Sequence, residues 1–227
     1  MHALIVGNSD GIGLALTHRL LGAGWTVTGV SRRPAPAGVA HTADVASPEF
    51  PALLARVLAG VGDVDLCVYA AGIGELLGPG LALAGQTRTF EVNLLGLART
   101  VEAVVPGMVA AGRGHVIGLS SMADAVLSAD APAYAASKAG MTSYLLGLDA
   151  ALRPRGVAVT AVRFGFVDTK MAKSPVTPFK ITTERAVDVL MQCVRTRPAV
   201  LSRPRRMAAL TGTLGPLLRT AARLRHG

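Results

Sequence analysis

Short apolar runs alternate with segments of helical spacing from the first residues to about residue 202, and this alternation constrains the fold more than any other feature. Residues 3–6 are apolar and end at Gly7. Residues 11–24 carry Ile12, Leu14, Ala15, Leu16, Leu20 and Leu21 at roughly helical intervals. Residues 25–30 hold β-branched Thr26, Val27, Thr28 and Val30, and 39–45 read as a weaker strand. Residues 65–71 form a continuous apolar run before Gly72, the pattern of a strand buried on both faces of a parallel sheet. Further strands are predicted at 114–119, 157–162 and 199–202. Helices are predicted at 48–61, 81–93, 94–111, 131–153 and 182–195, with a proline opening the first of these and a threonine the last. There is no internal repeat and no linker. The pattern predicts one α/β domain, a parallel sheet of about seven strands with helices on both faces.

The 227 residues are 51% hydrophobic and 16% charged, enough apolar material for a sizeable core and no basis for disorder. Cys67 and Cys193 are too few for a disulfide framework or a zinc cluster. The first residues lack the basic region and long apolar run of a secretory signal, and no apolar stretch reaches the ~18 residues of a spanning helix. These features predict a soluble, cytoplasmic protein. The net charge of +9 is concentrated at one end: no acidic residue follows Asp188, and the eight arginines beyond it leave the preceding residues at +1. Any case for nucleic acid or membrane therefore rests on the tail alone.

Three local patterns carry chemistry. Gly7-Asn8-Ser9-Asp10-Gly11-Ile12-Gly13 lies between the first strand and the first helix. There Gly7 permits a tight turn, Gly11 lets the backbone approach a pyrophosphate, and Gly13 lets the helix pack closely on the sheet. Ser31-Arg32-Arg33 ends the second strand. A carboxylate at that point would grip a ribose 2′-hydroxyl, whereas a hydroxyl and two guanidinium groups suit a 2′-phosphate. Tyr134 and Lys138 stand one helical turn apart, on one face. A nearby ammonium favours the phenolate and lowers the phenol's pKa, making a candidate acid–base group.

The G-x-x-x-G-x-G spacing together with Y-x-x-x-K resembles the short-chain dehydrogenase/reductase family, and the likeness runs through roughly the first 170 residues. The resemblance implies a Rossmann-like, doubly wound fold and an NADP(H)-preferring oxidoreductase. By the same likeness, Ser121, thirteen residues before Tyr134, would steady the substrate oxygen, with Ser120 as the competing neighbour. Asn93 would hold a water linking Lys138 to solvent. Asp44-Val45 would contact the adenine. Ala71 and Gly72 would contact the cofactor, and the Gly165, Val167 and Thr169 segment its nicotinamide end. The implied reaction is hydride transfer between a nicotinamide and a carbonyl or secondary alcohol, with Tyr134 as general acid/base and Lys138 also holding the ribose.

The sequence departs from the family at Val6 for threonine, at Tyr69-Ala70-Ala71-Gly72 for N-N-A-G, and at Phe164-Gly165 for proline-glycine. These changes touch scaffolding, not proton transfer. Residues 170–181 are the expected substrate-covering loop, and Met122, Leu127, Phe166 and Met171 are candidates for an apolar pocket. The catalytic domain is expected over 1–203. Residues 204–227 form a basic, leucine-containing extension, interrupted at Gly215-Pro216. This extension is expected to pack on its own domain or a partner, with contact to an anionic membrane as the competing reading. No aromatic platform accompanies the charge, so nucleic acid is not expected. A homodimer through helices 94–111 and 131–153 is what the resemblance implies. The alternatives to an enzyme are a non-catalytic NADP-binding scaffold and a membrane-surface protein acting through the tail.

Overall fold

The computed structural model describes residues 1–78, 83–171 and 177–208. The chain runs β1 (His2–Val6), α1 (Gly11–Gly22), β2 (Thr26–Ser31), β3 (Val39–Thr42), α2 (Phe50–Val61), β4 (Leu66–Tyr69) and α3 (Gln86–Phe90). It continues with α4 (Gly96–Ala110), β5 (Gly114–Ser121), α5 (Pro132–Leu152), β6 (Val157–Phe164), α6 (Thr183–Thr196) and β7 (Val200–Arg203). The strands form one seven-stranded sheet in the order β3-β2-β1-β4-β5-β6-β7, every pairing parallel. This is the parallel sheet with helices on both faces that the alternation predicts, in the Rossmann-like doubly wound form that the resemblance implies. The order reverses between β1 and β4, and a crevice opens at such a point beyond the carboxyl ends of the strands.

Both faces of the sheet are covered. On β1, Leu4 and Val6 join a core with α2, α4 and α5, while Ala3 and Ile5 join a second core with α1 and α6. The period-two alternation of side chains thus feeds two hydrophobic layers, which is why the strands read as unbroken apolar runs. The glycine turn is fixed sterically. Gly7 has φ +94° and a Cβ there would lie 2.5 Å from Ala71 N; a Cβ on Gly13 would lie 2.1 Å from Gly7 O. Loss of the family's Thr and Asn at Val6 and Ala70 leaves this turn intact, because its closeness is set by backbone.

The helices predicted separately at 81–93 and 94–111 are one path. α3 passes through a π-helical turn at Glu91–Leu95 into α4. Residues 81 and 82 lie outside the described residues. Gln86–Ala110 is 25 residues long and apolar enough by length and composition to cross a membrane, contrary to the sequence expectation. Its Val92, Leu97, Val101, Val104 and Met108 are buried in the core, which accounts for the apolar character. The proline at the start of α2 is Pro51, not Pro48, behind an N-cap at Glu49. β5 runs through Ser121, so this serine is the last strand residue.

Candidate active site

The predicted residues converge at the carboxyl ends of β4, β5 and β6. Gly72, just beyond β4, lies at the centre: a Cβ there would sit 3.4 Å from Asn93 Oδ1 and 3.6 Å from both Lys138 Nζ and Met171 Cε. A side chain at 72 would therefore fill the space between these groups. Two residues on, a Cβ at Gly74 would lie 3.2 Å from the Tyr134 ring. The segment after β4 thus lies against the phenol, a contact that no motif in the sequence announced.

Asn93 is buried in the π-helical turn and fully engaged. Its Nδ2 donates to Ile73 O at 2.9 Å and Ser137 Oγ at 3.0 Å, and its Oδ1 accepts from Ile73 N at 2.9 Å. The wider turn projects one polar side chain out of an apolar helix to stitch the 72–74 segment to α5. Ser121 Oγ accepts the Ala123 N–H at 3.1 Å, capping the 3₁₀ turn Met122–Ala125, and is hydrogen-bonded to Tyr134. Ser120 is instead buried and bonded to Thr142 Oγ1 at 2.6 Å and Lys138 O at 3.1 Å. The structure thus separates the two serines, and only Ser121 faces the phenol.

Lys138 Nζ lies 5.8 Å from the centre of the Tyr134 ring and donates to Leu119 O at 2.7 Å. Burial pulls its pKa down to about 8. Tyr134 does not show the lowered pKa expected from the lysine. Burial raises it above the ordinary phenol value, the Ser121 hydrogen bond opposes that rise, and the Asp124 charge adds to it. Desolvation outweighs charge pairing here, so Tyr134 is a neutral phenol at physiological pH.

Sequence reasoning missed the polar network behind Ser121. Asp124, in the 3₁₀ turn, receives Arg163 Nε and Nη2 at 2.6 Å each and the Thr142 hydroxyl at 2.7 Å. Because Thr142 gives its proton to a carboxylate, it is an acceptor toward Ser120, and it shares the single Ser120 proton with the Lys138 carbonyl. The network joins the end of β5 to α5, one turn beyond Lys138, and to β6. Its members are far apart in sequence, so no local spacing could reveal them.

The glycine turn lies against the end of β2. The Asn8 side chain is buried where a Cβ on Gly29 would be, and its Nδ2 has no hydrogen-bond partner among the described residues. Ser9 is half-buried in the turn, and Ile12 packs on the second core. Asp10 caps α1 and pairs with Arg33 at 3.4 Å and Lys170 at 2.8 Å. Ser31 is buried and donates to Arg33 O at 2.7 Å. Arg32 is exposed. Asp44 accepts from Ala46 N at 3.0 Å and from Arg88, while Val45 buries its side chain in the core. Gly165 is pinned by its N–H to Arg203 O at 2.9 Å, with Met207 packed where a Cβ would project. Val167 pairs with Ile181 as a short parallel bridge, and Thr169 lies over the glycine turn.

Of the pocket candidates, Met171 reaches Gly72 and Leu127 is 62% exposed, but Met122 is 1% exposed and belongs to the core. Pro175 of the expected covering loop lies outside the described residues. So does the tail beyond residue 208; residues 205–208 begin a helical turn after Pro204, with Ala208 N donating to Pro204 O at 3.1 Å. A buried donor without a partner among the described residues, backbone positions where only glycine fits and exposed guanidinium groups beside them fit the phosphates and ribose of a dinucleotide.

Comparison with known proteins agrees with this geometry. The chain is 31% identical to an uncharacterized oxidoreductase of Myxococcus xanthus, covering 97% of this chain and 96% of that one. It is 30% identical to the 3-oxoacyl-(acyl-carrier-protein) reductase FabG of Vibrio cholerae, over 76% of this chain and 75% of that one. The crystal structure of a short chain dehydrogenase from Burkholderia cenocepacia in complex with NADP matches with a TM-score of 0.85. That match has 25% identity and covers 99% of this chain and 96% of that one. The family described as short chain dehydrogenase matches residues 1–178, and the chain is a member of it, an oxidoreductase by family.

Proposed function

We propose that this protein is an NADP(H)-dependent oxidoreductase acting on a carbonyl or secondary alcohol of a largely apolar substrate. The observation that carries this reading is the meeting of Ser121, Tyr134 and Lys138 beside Gly72, at the sheet end that also holds the glycine turn. A bound nicotinamide supplies or accepts the hydride. Tyr134, held neutral by burial, gives its proton to the substrate oxygen in the reductive direction, and Ser121 holds that oxygen by a hydrogen bond. Lys138 places a buried positive charge behind the phenol, and that charge favours the phenolate left after proton transfer. Asn93 fixes the 72–74 segment against this group.

The glycine turn, Ser31, Arg32, Arg33, Ala71, Gly72, Gly165, Val167 and Thr169 would hold the dinucleotide, with Asp44 and Val45 beside its adenine. NADP over NAD rests on Arg32 and Arg33 at the end of β2, where a carboxylate is absent. An apolar substrate is supported by Met171 against Gly72 and by exposed Leu127. The proposal includes a cytoplasmic location and a homodimer through α4 and α5, beside which Leu95 and Leu146 are exposed. It also includes a tail over 204–227 packed on the domain, as Met207 already is.

Titration with NADPH and NADH, followed by nicotinamide fluorescence, tests the cofactor without a known substrate. NADPH binds more tightly, and Arg32→Ala removes most of the difference. A carbonyl screen then follows NADPH oxidation. Tyr134→Phe loses turnover and keeps NADPH affinity within about two-fold, because the phenol acts on the substrate oxygen. Turnover by Tyr134→Phe would remove the acid assignment, and failure to bind either dinucleotide would favour the scaffold reading.

A further inference from the structure

Asp10 joins charges from three parts of the chain. Its Oδ1 accepts the Gly11 N–H at 2.8 Å, while its Oδ2 receives Lys170 Nζ at 2.8 Å and Arg33 Nη2 at 3.4 Å. Lys170 comes from the segment after β6, and Arg33 follows β2. Thr169, the neighbour of Lys170, overlies the glycine turn: a Cβ on Gly11 would lie 3.5 Å from its Cγ2. The Lys170 ammonium is thereby delivered to the N-terminus of α1, where backbone N–H groups and the helix dipole favour an anion. In the same turn the buried Asn8 Nδ2 has no hydrogen-bond partner among the described residues.

The Lys170–Asp10 pair is exposed, with 84% of the lysine side chain and 38% of the aspartate side chain accessible. An ion pair in such a setting adds little to stability, so a more highly charged anion at the same place can take the ammonium. A nucleotide pyrophosphate is such an anion, and lysine meets it as a mobile point charge. Its two phosphates are common to NADPH and NADH, whereas the 2′-phosphate is present only in NADPH.

We propose that Lys170 is a ligand of the cofactor's pyrophosphate, and that Asp10 competes with the cofactor's phosphates for Lys170 and Arg33. The proposal rests on the dinucleotide reading of the glycine turn. Lys170 then contributes affinity for both cofactors alike, while Arg32 and Arg33 discriminate between them. Asp10 weakens binding even though it caps the helix, because its carboxylate holds the cations that the phosphates need.

The test is a double-mutant cycle on the full chain, reading Kd for NADPH and for NADH by nicotinamide fluorescence at low and high salt. Lys170→Met weakens both dinucleotides by about ten-fold and flattens the salt dependence, as loss of one charge-assisted contact requires. Asp10→Asn keeps an oxygen to cap α1 and tightens NADPH binding several-fold. The deciding arm is Lys170→Met in the Asp10→Asn background. A phosphate ligand still costs about ten-fold there, whereas a lysine that only holds Asp10 has nothing left to lose. Loss of the Lys170 effect in that background overturns the proposal, as does weakening of NADPH alone. Unchanged Kd in Lys170→Met overturns it too. If the unaltered protein binds neither dinucleotide, the reading of the turn itself fails; if it binds them and Lys170→Met leaves Kd unchanged, this proposal alone fails. Both substitutions are at exposed side chains, and an unchanged Tm without nucleotide confirms that the fold is intact.

Discussion

Burying an ammonium ion opposes folding, and Lys138 is buried with a backbone carbonyl as its close acceptor. Its pKa falls from 10.5 to about 8. The folded state therefore binds this proton less tightly than the unfolded state. The unfavourable contribution is complete below pH 8 and disappears as pH rises through the unfolded value of 10.5. Lys138→Met should stabilise the protein at pH 7 by about 1–3 kcal/mol, the loss of the Leu119 hydrogen bond offsetting part of the gain. Urea unfolding at pH 7 and pH 9 checks this. The difference between variant and parent should shrink at the higher pH, and a destabilised variant at pH 7 would contradict it. The Y-x-x-x-K spacing identified this pair, but spacing carries no information about desolvation. That is why the phenol's pKa was expected to fall and instead rises.

At the scale of elements, the 3₁₀ turn after β5 is held by charge. Asp124 and Arg163 have side chains only 5% and 21% exposed, and their fork-to-carboxylate contact ties the turn bearing Ser121 to β6. Arg163→Met leaves a buried carboxylate and should cost about 3–5 kcal/mol. The double variant Asp124→Asn/Arg163→Met should recover much of that loss, since no unpaired charge remains. Chemical denaturation of the two variants measures this, and equal losses would show that the pair contributes as shape, not charge. The same turn shows what the sequence could reveal. The strand was legible over 114–119, two residues short of its end at Ser121, and Ser121 by its distance from Tyr134. Asp124 and Arg163 were not, because 39 residues separate them and only the β5–β6 pairing brings them together. Likewise, apolar periodicity located both halves of the Gln86–Ala110 path. It could not show that a π-helical turn joins them, because that turn changes the register without changing composition.

For the whole molecule, the parallel sheet separates chemistry from stability. The carboxyl ends of the strands hold the glycine turn, Ser121 and Gly165, while the opposite ends carry polar groups with structural roles. His115, near the start of β5, is 2% exposed, and its Nε2 lies 2.8 Å from Thr160 Oγ1. Thr160 donates its own proton to Pro198 O, so it must accept from His115, which places the imidazole proton on Nε2. Nδ1 is then a buried lone pair with no partner among the described residues. Protonating it would bury a cation facing Arg197 and Arg153, with Asp149 opposing them. Burial and those two arginines pull the pKa from 6.5 to about 3. The unfolded chain takes up this proton as pH falls below 6.5 and the folded chain does not until about 3, so stability is lost across that window. At about 1.4 kcal/mol for each pH unit, the loss amounts to roughly 4–5 kcal/mol by its lower end, comparable to the whole stability of a marginal domain. His115→Gln keeps a donor for Thr160 and removes the titration. Its unfolding free energy should therefore be nearly flat where the parent's declines, and its acid-unfolding midpoint should lie at lower pH. Circular dichroism across that range measures both proteins. Parallel acid-unfolding curves would show that the carboxylate ion pairs, not His115, set acid stability.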